Sequence, residues 1–203
     1  HIIFNKNKWE IKNRGKVEFA DSCYMVSNIK LEYKDQYIGV NGNLSSSPFD
    51  RLYIDVMNLN LDELSSLFLP ETKLSGIANV SGYASALSTG MQFNGEAVIE
   101  DFFVNESEVG VVGFGINYNA NSDRVGMYGD IFYRNIQTFN FGGYYVLKEE
   151  TEAIGTMDFD MIFKKTKIDV VSEFLDPEVF SALRGNLEGN LKLTGTLNDP
   201  VLT

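Results

Sequence analysis

The stretch that most limits what this chain can become runs from Asn186 to Leu197. In Asn186-Leu187-Glu188-Gly189-Asn190-Leu191-Lys192-Leu193-Thr194-Gly195-Thr196-Leu197 every odd position is Leu or Gly. Every even position is Asn, Glu, Lys or Thr. Successive side chains of a strand point to opposite faces, so this pattern predicts a strand with one oily face and one polar face. Gly185, Gly189 and Gly195 all fall in the oily row. Glycine weakens a strand, so these three are expected to serve a bend or a close approach of backbone. Asn198-Asp199-Pro200 then signals a turn. The residues after it read as the start of another strand, which predicts a piece of something longer.

The same period of two returns along the chain. Trp9-Glu10-Ile11 and Lys16-Val17-Glu18-Phe19 alternate, with Asn13-Arg14-Gly15 between them as a turn signal. Ile29 to Tyr33 alternates, Lys34-Asp35-Gln36 interrupts, and Ile38, Val40, Gly42 and Leu44 resume, which predicts a hairpin. Ser45 to Pro48 reads as a loop, and Leu52, Ile54 and Val56 mark a further strand. From Leu74 to Leu147 the chain reads as successive strands. One face of each is oily: Val112, Phe114, Ile116 and Tyr118, then Val125, Met127, Ile131 and Tyr133, then Phe139, Phe141, Tyr145 and Leu147. Met157, Phe159, Met161 and Phe163 make one more such row. Fifteen Phe and ten Tyr beside eighteen Gly and four Pro fit this sheet-rich reading.

Two octapeptides break the period. In Leu61-Asp62-Glu63-Leu64-Ser65-Ser66-Leu67-Phe68 the apolar residues fall at helical spacing, with Asn60 as cap, Glu63 completing a capping box, and Pro70 as stop. Ile168 to Leu175 repeats the spacing, with Thr166 as cap and Pro177 as stop. Helices are therefore expected over 61–69 and 168–176. Helices this short are unstable alone and should pack on the sheet. After each comes a Gly-x5-Gly strand, Gly76 to Gly82 and Gly189 to Gly195. That spacing predicts a repeat of which residues 61–167 are one unit, flanked by parts of neighbours at 1–60 and 168–203. Residues 1–203 then form one β-rich segment.

Little here points to catalysis. Cys23 is the only cysteine and His1 the only histidine, so Ser-His and Cys-His pairs and cysteine zinc clusters are unavailable. His1 itself reads as a cut end or a cloning remnant. Asp158 and Asp160 share a strand face opposite the Met157 row, as solvated residues do; Glu149, Glu150 and Glu152, and Glu96, Glu100 and Asp101, are further carboxylate groups, and a glycosidase pair needs a specific separation across a cleft that no sequence shows. Asn117 to Asp123 places oxygen ligands at alternate positions but lacks the glycine and distal glutamate of a calcium loop, so a polar hairpin turn is expected. Gly110 to Gly115 lacks the Lys-Ser/Thr of a phosphate loop; Gly113 and Gly115 should instead serve bending or tight packing. No enzyme activity, cofactor or metal is expected. A net charge of −11 argues against nucleic acid and against an anionic membrane surface as partners. No run of 18 apolar residues is present to span a bilayer.

What remains is an excess of one-sided strands. Two short helices cannot cover them, so the sheet is expected to cover itself as a sandwich, a barrel or an open trough. A trough would leave an apolar channel, lined on this reading by Ile38, Val40, Ile54, Val56, Phe139, Phe141, Phe159, Met161, Phe163, Leu187, Leu191, Leu193 and Leu197.

Trp9-Glu10-Ile11, the strand ending Asp35-Gln36-Tyr37-Ile38-Gly39-Val40-Asn41-Gly42, the Leu61-Asp62-Glu63-Leu64 segment and the closing Gly-x-Leu-x-Leu-x-Gly-Thr-Leu-x-Asp-Pro from Gly189 to Pro200 together resemble the TamB family of translocation and assembly proteins, in the AsmA-like superfamily. The strand ending Val40-Asn41-Gly42 is similar to Bacteroidetes-type members. The resemblance implies a long meandering antiparallel sheet rolled into a hydrophobic trough, called a β-taco. It implies a periplasmic location in a protein anchored in the inner membrane, and an outer-membrane partner of the BamA/TamA class. It also implies phospholipid transport between the membranes, assembly of outer-membrane β-barrel proteins, or both, with no catalytic residues. The alternative is a closed β-sandwich at the cell surface that binds a glycan or a protein.

Overall fold

Alternating sequence becomes strand almost throughout the computed structural model, which describes residues 1–4, 7–12, 14–63, 72–147, 155–168 and 185–203. The first five strands are β1 (Ile2–Phe4), β2 (Asn7–Lys12), β3 (Lys16–Ala20), β4 (Cys23–Tyr33) and β5 (Gln36–Leu44). There follow β6 (Arg51–Asn60), β7 (Leu74–Ser85), β8 (Gln92–Val104), β9 (Ser107–Asn119) and β10 (Arg124–Tyr133). The last four are β11 (Ile136–Val146), β12 (Thr156–Lys167), β13 (Asn186–Thr196) and β14 (Pro200–Leu202). All fourteen belong to one open antiparallel sheet, and from β4 onward each strand pairs with its neighbours in sequence. The expected all-β meander is what the chain forms.

Tight turns hold the meander. Arg134 and Asn135 both take left-handed backbone (φ 51° and 64°), as the two central residues of a type I′ hairpin turn must. Lys34, between β4 and β5, is also left-handed. Among non-glycine residues, four further left-handed positions sit inside strands, at Asn28 in β4, Asn58 in β6, Asp101 in β8 and Lys165 in β12. Each lies where the pairing register shifts, so each marks a β-bulge that bends and twists its strand. Two of them share one device. The Asn41 side-chain oxygen accepts the Asn28 N–H at 3.2 Å, and that of Asn79 accepts the Asn58 N–H at 2.9 Å. A donor that the ladder cannot use is satisfied from the next strand.

The start of the chain differs from expectation. Both β2 and β3 pair antiparallel with β4, so the chain runs on in one direction past Asn13-Arg14-Gly15 and does not reverse there. A Cβ on Gly15 would lie 3.1 Å from Ile29 Cα and 3.2 Å from the Asn28 carbonyl oxygen. The junction of β2 and β3 thus sits against the bulge of β4, which a larger residue at position 15 would have to displace slightly.

The described strands form one sheet, with no second sheet among the described residues. The accessible surface of 12948 Å² compares with roughly 9,600 Å² for a compact globular protein of this mass. Among the described residues, the buried pair Val104 and Val109, packed against Leu74, Phe102, Val112 and Ile131, lies where β7 to β10 meet. Of the expected 61–69 helix only Leu61 to Glu63 are described. There the Asn60 side-chain oxygen accepts the Asp62 N–H at 2.9 Å, as a cap does. The rest of that helix, and all of the 168–176 helix beyond Ile168, lies outside the described residues. The two Gly-x5-Gly strands are β7 and β13, and their first glycines share a left-handed backbone (φ 138° at Gly76, 143° at Gly189).

Candidate functional site

Paired residues of neighbouring strands share a face, so the register carries one face across the whole sheet. Starting from Ile11 it passes through Leu31, Ile38, Val56, Val80, Ala97, Phe114, Gly129, Phe141 and Met161 to Leu191. Every step is a direct cross-strand pair, and every residue is apolar. At the usual strand spacing this row has a contour of roughly 48 Å. A second row beside it joins Val40, Ile54, Gly82, Gly95, Ile116, Met127, Gly143, Phe159 and Leu193. A third joins Leu59, Ala78, Ile99, Val112, Ile131, Phe139, Phe163 and Gly189.

The expected lining residues fall on this face in two groups. Ile38, Val40, Ile54 and Val56 form one on β5 and β6. Phe139, Phe141, Phe159, Met161, Phe163, Leu191 and Leu193 form the other on β11 to β13. Leu187 lies on the same face but pairs with Thr166 beyond the β12 bulge, at the margin of the second group. Leu197 follows the end of β13 and is 68% exposed, apart from both groups. The strands β7 to β10 separate the groups and link them through Val80, Ala97, Phe114 and their neighbours.

The second group holds a chain of phenylalanines. Phe139 lies 5.9 Å from Phe141 and 4.8 Å from Phe163, and Phe141 lies 6.4 Å from Phe159. Phe141 also reaches Phe114, two strands away, at 6.3 Å. The strand between them offers Gly129, where a Cβ would come within 2.5 Å of the Phe141 ring. Glycine lets the two rings meet above the backbone. Gly143 does the same under Phe159, whose ring would lie 2.6 Å from an added Cβ. These contacts were not visible in the sequence, because the alternation gives the face of a glycine but not the neighbour above it. All the lining residues in strands are only partly buried, and among the described residues no second sheet packs on this face.

The other face is polar and carries the ion pairs. Lys30 reaches Glu32 at 2.6 Å along one strand, and Lys192 reaches Asp158 at 2.9 Å and Asp160 at 3.8 Å across the β12–β13 ladder. The Asp158 bond holds the Lys192 ammonium above the ordinary lysine range. Exposed pairs of this kind keep a face wet and contribute little stability. A cleft of about 520 Å³ also opens on this face across β6 to β10, beside Tyr53, Tyr83 and Tyr128. Sequence reasoning missed it; the one signal was tyrosine, rather than charge, at polar-row positions. No protein family, curated relative or solved structure matches this chain.

Proposed function

We propose that this chain is a non-enzymatic segment of a hydrophobic conduit, in which the sheet rolls its apolar face inward as an open trough with the two short helices packed on it. Acyl chains of phospholipids lie along the apolar rows while head groups remain in water. The observation that supports this most is the row from Ile11 to Leu191, apolar at every cross-strand pair and partly exposed along its length. Burying one CH2 stabilises by about 0.8 kcal/mol, so such a row holds a tail firmly with no polar selectivity. Adjacent sites of equal greasiness let the tail slide. A row of roughly 48 Å exceeds the ~30 Å hydrocarbon core of a bilayer, long enough for successive tails end to end.

This reading agrees with the resemblance to the TamB family. It places the segment in the periplasm, within a protein anchored in the inner membrane and meeting a BamA/TamA-class partner in the outer membrane. Lipid transport between the membranes, assembly of barrel proteins, or both, is the role that follows. The test is native mass spectrometry of the protein purified from a Gram-negative envelope fraction. Bound phospholipid is expected in the wild type and much less in Phe141→Asp. A folded wild type that carries no lipid, and takes up none from phosphatidylethanolamine vesicles, would overturn the reading.

A further inference from the structure

The polar face holds a feature that solvation alone does not explain. Tyr53 and Tyr128 are 44% and 46% exposed, yet they stand among short polar residues on strands that could carry charge. The Tyr128 ring crosses Gly115, its direct cross-strand partner, where an added Cβ would come within 2.1 Å of the ring. The Asn117 amide lies over its own partner, Gly126, in the same way, 2.6 Å from where a Cβ would be. A solvated face has no need of either glycine, and each weakens its strand. Together they bring an aromatic ring and an amide close against the backbone of strands that line the 520 Å³ cleft.

The geometry points to a binding site for a neutral oligosaccharide in this cleft, its pyranose rings resting on tyrosine faces and its hydroxyls bonded to the side chains between them. Tyrosines stand at both ends of the cleft. Tyr53 and Tyr83 pack at 6.0 Å on β6 and β7, and Tyr128 stands on β10, four strand spacings from β6, or about 19 Å. Aromatic faces suit the C–H faces of sugar rings for the reason they suit other partially positive groups. Between them the floor offers both donors and acceptors. Asn94 donates to the Tyr83 hydroxyl at 3.0 Å, and Tyr128 donates to Glu96 at 2.8 Å, which fixes both rings and leaves lone pairs on both acceptors.

Charge decides the ligand class. Asp55 and Glu96 repel a phosphate or carboxylate ligand, so an acidic polymer does not fit. The two carboxylates lie on strands two apart, with Ser81 between them in the row, about 10 Å from one another along the sheet. One ammonium cannot bridge them, and the Arg51 guanidinium already covers the Tyr83 ring at 4.3 Å. A cationic ligand therefore finds no compact site, whereas a row of hydroxyls meets spaced partners.

The test titrates chitohexaose and cellohexaose into the protein by isothermal calorimetry, with spermidine as the cationic probe. Saturable binding of at least one oligosaccharide is expected. Tyr128→Ala and Tyr53→Ala should each weaken it by about tenfold, and Gly115→Ala likewise by displacing the Tyr128 ring without removing a contact group. Glu18→Gln, on β3 outside the cleft, should leave it unchanged. Melting curves of Tyr128→Ala confirm folding, and it decides the matter if Gly115→Ala fails to fold. No binding of either oligosaccharide, binding indifferent to both tyrosine variants, or binding of spermidine alone would overturn the proposal. Lipid uptake by the opposite face is a separate readout, so either reading can fail without the other.

Discussion

Leu193→Asp separates an exposed apolar face from a dry core. Leu193 sits in β13 between Phe159 and Leu202, on the apolar face, and is partly exposed. Full burial of a leucine is worth about 1.5–3 kcal/mol, so partial burial loses about half of that. Aspartate in a strand adds up to about 1 kcal/mol through poor β-propensity. The sum is about 2 kcal/mol, and for a chain of this size that lowers the melting temperature by about 4–8 °C. A carboxylate in a covered core would add an unpaired buried charge worth several kcal/mol, comparable with the whole stability of a domain, and should abolish folding. The assay is a thermal melt followed by circular dichroism, with bound lipid measured by native mass spectrometry. Asn190→Asp, exposed on the polar face of the same strand, is the control and should melt within about 2 °C of wild type. A Leu193→Asp protein that does not fold would refute the open face. One that folds and keeps its full lipid load would refute the conduit.

Glycines with and without neighbours give a second check. Gly143→Ala brings a Cβ within 2.1 Å of the Asp158 backbone oxygen and should cost about 1–3 kcal/mol in urea unfolding, while Gly113→Ala meets nothing within 4 Å and should be neutral or slightly stabilising. Asn79→Ala leaves the bulged Asn58 N–H without its acceptor and should cost about 1–2 kcal/mol in the same assay. The hydrogen bond to Glu96 holds the Tyr128 phenol above the ordinary tyrosine range. This bond contributes fully below the unfolded pKa and is lost as pH rises through the raised folded value, so alkaline titration by ultraviolet absorbance should show one late tyrosine that Glu96→Gln moves earlier.

The strands and their faces were legible because period two is a direct image of the pleat. Each oily row in the sequence, from Ile38-Val40 to Leu191-Leu193, lies on one face once the register is drawn. The bulges were not legible. Asn28, Asn58, Asp101 and Lys165 are polar residues in runs that already contain polar residues, and only a neighbour such as Asn41 or Asn79 explains why the slip is stable there. Nor was the junction before β3, where the Asn13-Arg14-Gly15 signal has the composition of a reversal. Gly15 packs against the β4 bulge, and local turn chemistry cannot tell that contact from a reversal. The polar cleft was hidden for the same reason, since Gly115 and Tyr128 are thirteen positions apart and meet only through the β9–β10 register.

The apolar face cannot stay bare in water. Three rows of roughly 48, 38 and 34 Å, each about 7 Å wide, make roughly 800 Å² of apolar surface, above what monomers leave exposed. At about 25 cal/mol per Å² its complete covering is worth about 20 kcal/mol, more than the 5–15 kcal/mol that usually separates folded from unfolded protein. Whatever covers even part of it is therefore a principal term in stability. If that cover is phospholipid, it binds the folded chain alone and stabilises it by mass action, about 2.7 kcal/mol at a hundredfold excess over the dissociation constant. For a chain of this length the melting temperature should then rise by roughly 5–11 °C when delipidated protein is mixed with phosphatidylethanolamine vesicles. Phe141→Asp, which places a charge at the centre of the phenylalanine chain, should show a much smaller rise. If the chain's own segments cover the face instead, the melting temperature of delipidated wild type will not respond to lipid at all, and the conduit reading falls with it.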